Sequence, residues 1–228
     1  MPEQLVLPVQ LPLSISFDDF IGEQNKPALK HLKTSLQEAA EPILFYWGNE
    51  ATGKTHLLIA SCCFLNQEKK ATLYFDLDDY QNLAPEMFDN LEQIQLLAID
   101  NIEQIQGILK WEEALFNCFN QMRQLKIPLL ISSRISPEKI VYQLDDLKAH
   151  LFWGPIYQLV DLDKEEVEQV LLRIINQRGL NFSPPAIHYL LTQSEYNLKN
   201  LVAMVEILDL ISLKEKRRIT IALIKESI

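Results

Sequence analysis

Residues 48 to 55 read Gly48-Asn49-Glu50-Ala51-Thr52-Gly53-Lys54-Thr55, an unbroken G-x-x-x-x-G-K-[ST] run. Few eight-residue patterns constrain a fold so tightly. The backbone N–H groups of such a loop point inward and cradle phosphates, the lysine reaches the β/γ-phosphates, and the hydroxyl is placed for Mg²⁺. The loop must also open a helix, whose N-terminal dipole favours the same anion. The flanks agree. Pro42-Ile43-Leu44-Phe45-Tyr46-Trp47 is a short apolar run fit for a buried strand, and His56 to Leu65 is helical in period.

Five strands are expected, at Ile43–Trp47, Thr72–Asp76, Leu96–Ile99, Leu129–Ser132 and Ile156–Leu159. Helical patterns alternate with them: a stretch from Asn25 to Ala40 closed by Pro42, then Thr55–Asn66, Asp78–Asn90, Trp111–Lys126 and Pro137–Leu147. Strands alternating with helices predict a parallel sheet with helices on both faces. From Asp161 the strand signals stop. Asp163-Lys164-Glu165-Glu166 has the form of a capping box and opens a helix ending at Gly179. Ser183-Pro184 opens another, Asn197 to Lys216 carries a third, and Thr220 caps a short fourth. The expected organisation is an α/β domain over residues 17–160 and a small all-helical domain over residues 161–228.

Residues 1 to 16 stand apart. Pro2, Pro8 and Pro12 exclude a helix and favour an extended tail. Its alternating Leu and Val are apolar side chains with no evident place in the core.

A phosphate loop needs a partner carboxylate. Leu96-Leu97-Ala98-Ile99-Asp100 is an apolar strand ending in an acid about 45 residues after the loop. A carboxylate at the carboxyl end of a parallel strand lies beside such a loop, so Asp100 is assigned with Thr55 to Mg²⁺. The following residue, where vigorous ATPases carry an acid, is Asn101. An amide is no general base, so slow or absent hydrolysis is expected. Glu103 is the nearest other acid and the first candidate for the base if hydrolysis is found; the preferred reading is a solvated residue at a helix start.

Bulk properties bound the rest. The chain has 228 residues, 48% hydrophobic and 23% charged, with a formal net charge of −10. That charge argues against a dedicated DNA-binding surface. Lys214-Glu215-Lys216-Arg217-Arg218 is read as a solvated turn. Cys62, Cys63 and Cys118 show no C-x-x-C spacing, which suggests reduced, buried thiols and a cytoplasmic location. His31, His56, His150 and His188 form no zinc pattern. No membrane span or signal peptide is expected.

With these pieces in place the chain resembles the AAA+ proteins of the DnaA group, in particular the DnaA-related regulators of bacterial replication initiation. The resemblance covers nearly the whole length. It rests on Gln4-Leu5-Val6-Leu7-Pro8-Val9, Phe17-Asp18-Asp19-Phe20, Gly53-Lys54-Thr55-His56-Leu57-Leu58 and Ile99-Asp100-Asn101-Ile102-Glu103. It extends to Leu151-Phe152-Trp153-Gly154-Pro155-Ile156-Tyr157-Gln158-Leu159 and to a helical lid without DnaA's basic DNA-binding domain.

The resemblance implies several expectations. The core is an AAA+ domain binding ADP or ATP with Mg²⁺ through Gly48–Thr55, with His56 in the helix that the loop opens. The N-terminal hexapeptide docks into the DNA polymerase sliding clamp (its β subunit) through Gln4, Leu5, Leu7 and Val9. DnaA is the second partner, and the outcome is hydrolysis of DnaA-bound ATP, which prevents re-initiation. No sequence-specific DNA binding is implied, and homo-oligomerisation is left open. Two positions depart from the family. Lys199 falls at the sensor-2 arginine of the lid, and keeps the charge without the planar fork. His150 falls at the arginine finger, which stabilises charge on a γ-phosphate held by a neighbouring subunit. A histidine is shorter and mostly neutral, so a weaker trigger of DnaA hydrolysis is expected, with Lys148 or Arg134 as other sources of charge. Two rival functions remain: a clamp-recruitment module that triggers no hydrolysis, and an autonomous ATPase of the helicase-loader type.

Overall fold

The computed structural model describes residues 15–38 and 43–227. The positions assigned to clamp binding, Gln4, Leu5, Leu7 and Val9, lie outside the described residues, as does the expected helix end at Ala40 and Pro42. The chain divides into two compact units, one through Val160 and one from Asp161.

The first unit is built on β1 (Ile43–Trp47), β2 (Thr72–Asp76), β3 (Leu96–Asp100), β4 (Leu129–Ser133) and β5 (Ile156–Gln158). All pairings are parallel, in the order β2-β3-β4-β1-β5. The unbroken apolar runs are explained by burial on both faces. Alternate residues serve opposite layers. Ile43 and Phe45 join Leu97, Ile99, Leu129 and Ile131 in one core, against Leu115, Phe119 and Met122 of α3 (Leu109–Leu125) and Leu147 of α4 (Asp145–His150). Leu44 and Tyr46 join Leu96, Ala98 and Leu130 in the other, against Leu32 and Leu36 of α1 (Lys26–Glu38) and Leu57, Leu58 and Leu65 of α2 (Lys54–Gln67).

Two expected helices are corrected. Asp78–Asn90 is not one helix but two short 3-10 helices, Leu77–Asn82 and Pro85–Phe88. Ala84 precedes Pro85 and is held extended, as the proline ring requires. The Asp76 side chain also caps Asp78 N–H at 3.0 Å. Pro137–Leu147 likewise breaks into a 3-10 turn at Pro137–Lys139 and the short α4. Here the cause is remote. The fully buried Glu112 carboxylate accepts the N–H groups of Gln143 and Leu144 at 2.8 and 3.0 Å, and of Gly107 at 2.6 Å. Two charge-assisted bonds outcompete the helical ladder there.

The second unit holds α5 (Lys164–Gln177), α6 (Pro184–Gln193), α7 (Leu198–Glu215) and α8 (Ile221–Ser227). Asp163 accepts from Glu166 N–H at 2.8 Å, and Glu166 from Asp163 N–H at 3.0 Å, the reciprocal capping box. Val167, Leu171 and Ile175 project at helical spacing into a core with Leu190, Leu201, Val205 and Leu223. Among the described residues the extended pairing here is a single parallel bridge, Phe182 to Ile219. Lys214 to Arg218 is exposed; Lys214 and Glu215 end α7, and the chain turns at Lys216.

The cysteines are free. Cys62 and Cys118 are buried, and burial pushes both thiols up to about 12, whereas Cys63 is only half-buried. No helix among the described residues is long and apolar enough to cross a membrane.

Candidate functional site

The first unit's chemistry gathers at the carboxyl ends of β1, β3 and β4, where sheets of this topology leave a crevice. Residues 48–53 turn from β1 into α2. Two glycines are required by geometry. A Cβ on Gly48, at φ +154°, would lie 2.2 Å from the Leu159 carbonyl oxygen, and one on Gly53, at φ +95°, would lie 2.7 Å from the Phe20 ring. Gly48 N–H also donates to the Ser133 carbonyl at 3.2 Å, tying the loop to β4.

Lys54 is 5% exposed and folds back over the loop. Its Nζ donates to the carbonyls of Gly48 and Asn49 at 2.8 and 2.6 Å. Burial pushes its pKa down, against the opposing pull of Asp100 and Glu103. Thr52 is buried and donates to Asn49 O at 3.0 Å, while Asn49, Glu50 and Ala51 form the exposed crest. His56, in the first turn of α2, meets the Ser16 carbonyl through Nε2 at 2.8 Å and packs beside Phe20.

Asp100 is wholly buried at the end of β3. Its carboxylate accepts from the Thr55 hydroxyl at 2.5 Å, from the Tyr74 hydroxyl at 3.0 Å and from the Ser132 hydroxyl. Burial raises its pKa, and the Ser132 and Thr55 hydrogen bonds oppose that rise. Thr55 and Asp100 thus come together as their spacing implied. Tyr74 and Ser132 had no role assigned from sequence. The readable signal was a hydroxyl-bearing residue within each of the strands that flank β3.

Asn101 takes a left-handed conformation, φ +57°, and turns the chain out of β3. Its amide donates to Asp76 Oδ1 at 2.8 Å, toward β2. Glu103 departs from expectation. It is not a solvated helix-start residue but 7% exposed, inside a 3-10 turn at Ile102–Ile105. The left-handed turn at Asn101 folds that segment back against the sheet end. Arg134, just beyond β4, pairs with Glu103 through Nε at 3.7 Å, with Glu50 of the loop through Nη1 at 3.5 Å, and with Asp78.

His150 ends α4 and is buried, at 5% exposure. Its ring lies 3.6 Å from that of Trp153 and 4.7 Å from that of Phe116, edge-on, and stacks on Phe119 at 5.8 Å. Its Nδ1 is buried without a hydrogen-bond partner. Burial pushes its pKa down, Asp146 pulls it up, and Arg123 adds to the lowering. Lys148 donates to the Glu138 carbonyl at 2.9 Å. Lys199 is an exposed residue in the first turn of α7, in the second unit.

A parallel sheet ordered β2-β3-β4-β1-β5, with a phosphate loop after β1 and an acid ending β3, defines a P-loop protein of the AAA+ fold. The family model for the bacterial DnaA ATPase domain matches residues 11–158, and that for the lid domain of Hda matches residues 163–228. The chain therefore belongs to the DnaA family of AAA+ proteins. Solved structures agree on the fold. Domain III of the Thermotoga maritima replication initiation protein DnaA superposes with a TM-score of 0.81 at 19% identity, covering 96% of this chain and 98% of that one. AMPPCP-bound DnaA from Aquifex aeolicus gives 0.70 at 21% identity, with 88% and 67% covered. The RuvB Holliday junction branch migration motor of Thermotoga maritima gives 0.65 at 16% identity, with 95% and 71% covered.

Proposed function

We propose that this chain is an Hda-like adaptor of replication control. It binds adenine nucleotide, attaches to the sliding clamp through Gln4, Leu5, Leu7 and Val9, engages DnaA, and promotes hydrolysis of DnaA-bound ATP, so limiting re-initiation. The observation that carries this reading is an Hda-type lid at residues 163–228 joined to a DnaA-type domain with an intact phosphate loop. The nucleotide part draws support from the convergence of Lys54, Thr55 and Asp100, and from the AMPPCP held by the Aquifex aeolicus DnaA. The loop N–H groups and Lys54 bind the phosphates. Thr55 and Asp100 offer the hard oxygen donors that suit Mg²⁺ beside phosphate oxygens; the ion when bound neutralises phosphate charge. The deciding experiment follows DnaA-bound ATP over time with clamp loaded on DNA. Faster loss with this protein supports the reading, and unchanged loss with clamp binding intact overturns it.

The second reading, a nucleotide-gated recruitment module that triggers no hydrolysis, is favoured by one observation. The residue at the finger position, His150, is enclosed by Phe116, Phe119 and Trp153 of its own unit. The same DnaA assay separates the two.

Two expected results belong to this proposal. Gln4→Ala with Leu5→Ala abolishes capture by immobilised clamp and leaves nucleotide affinity unchanged, because a clamp-binding peptide is held through alternate side chains and neither residue belongs to the phosphate loop. Capture that survives deletion of residues 1 to 12 refutes the assignment. Intrinsic ATP turnover of the isolated protein stays below ~1 s⁻¹, the low end of ordinary enzymes, because the Asn101 amide is no base and is engaged by Asp76. A malachite-green assay showing faster turnover contradicts this and favours the autonomous ATPase.

A further inference from the structure

Glu103 is the most anomalous group in the first unit. It is 7% exposed, and neither carboxylate oxygen has a hydrogen-bond partner among the described residues. Burial pushes its carboxyl above the ordinary range; the nearby N–H groups of Glu103 and Arg134 and the Ser133 hydroxyl oppose that without closing a hydrogen bond. Native folds retain few unsatisfied buried polar groups, and such groups concentrate at functional sites.

Its surroundings point to the phosphate loop. Arg134 bridges the Glu103 carboxylate and Glu50 on the crest of that loop. The Glu103 charge acts on the Lys54 ammonium, alongside that of Asp100. The other acids at this sheet end are committed. Asp100 accepts three hydroxyls, Asp76 holds the Asn101 amide, and Asp78 holds Arg134 and the Gln104 amide. Glu103 is the carboxylate met only by the Arg134 ion pair at 3.7 Å, with no hydrogen bond closed.

We propose that Glu103 is the water-activating residue of this site, in place of the acid that Asn101 replaces. The inference rests on the nucleotide-binding reading above. With ATP on the phosphate loop, water oxygen forms a bond to the γ-phosphorus while its proton passes to a Glu103 oxygen. The bond from the γ-phosphorus to the bridging oxygen breaks, ADP leaves with the electron pair, and inorganic phosphate is released. The Glu103 proton then returns to solvent. Arg134 holds the carboxylate and limits its basicity, which keeps the reaction slow.

The test is single-turnover hydrolysis of γ-labelled ATP by excess protein, with AMPPCP affinity measured in parallel. Glu103→Gln conserves shape and removes the base. It is expected to slow hydrolysis about 100-fold or more, the usual share of a general base, with AMPPCP affinity within about twofold of wild type. Its melting temperature does not fall, since a buried charge is neutralised. Glu103→Asp keeps the charge with shorter reach and gives an intermediate rate. Hydrolysis by Glu103→Gln at the wild-type rate overturns the proposal, as does wild-type protein that binds AMPPCP yet hydrolyses ATP no faster than buffer. Wild-type protein that binds no AMPPCP sinks the nucleotide reading as well.

Discussion

Lys54→Ala weakens ADP binding by on the order of 100-fold or more in titration calorimetry. Hydrogen bonds to charged groups contribute about 1.5–3 kcal/mol each, and two to the phosphates give roughly 3–6 kcal/mol. That corresponds to about 10²–10⁴ in affinity. The site is favourable for such a large effect, because Lys54 is 5% exposed and little screened. The ammonium already lies over the loop, on the carbonyls of Gly48 and Asn49, so it reaches a phosphate with little reordering. The substitution removes a buried cation whose pKa burial depresses, so the fold is not expected to suffer. Equal ADP affinity in wild type and variant would place the nucleotide elsewhere and end the reading of Gly48–Thr55 as its site.

His150→Arg is the second large effect, and it falls on stability. The imidazole fills a cage of Phe116, Phe119 and Trp153, and Arg123 already lies over the Trp153 ring at 4.4 Å. An arginine there brings a longer side chain and a second cation into an aromatic enclosure. A buried charge left unpaired costs about 3–5 kcal/mol. For a chain of this size that lowers the melting temperature by roughly 10 °C. The wild-type residue has its own pH signature. Its folded pKa is depressed, so its neutral form contributes stability that is present above ordinary histidine values. That contribution is lost as pH falls from about 6.5 toward the folded pKa. His150→Phe removes this part of the acid dependence. A His150→Arg protein that melts with the wild type has moved its guanidinium to the surface. Increased stimulation of DnaA-bound ATP hydrolysis is then the expected consequence, since a finger supplied in trans contributes 10³–10⁵ in rate.

Glu103 and His150 mark where reading the sequence stops. Glu103 follows the strand end expected before it, whereas the helix expected over Pro137–Leu147 stopped short of His150, which ends α4. Exposure was the error for Glu103, because exposure depends on what packs above a residue. The left-handed turn at Asn101 directs Glu103 inward, and asparagine is permitted in that conformation without demanding it. The enclosure of His150 depends on Phe116 and Phe119, more than thirty residues earlier in α3.

The parallel sheet, the phosphate loop and its helix, the pairing of Thr55 with Asp100 and the capping of α5 are legible in the residues alone. Each is carried by local signals: unbroken apolar runs, glycines that geometry requires, a strand ending in an acid, a reciprocal cap. Tertiary structure alone decided the split of Asp78–Asn90 and Pro137–Leu147, the Tyr74 and Ser132 hydroxyls on Asp100, the burial of Glu103 and the cage around His150. In the second helical stretch the Glu112 carboxylate captures two backbone N–H groups thirty residues away, which no local propensity records. The physical reason is common to these cases. Propensity acts over a few residues at tenths of a kcal/mol each. A buried carboxylate or an aromatic cage acts between segments far apart in sequence, at about 1.5–3 kcal/mol per charged hydrogen bond, and overrides it.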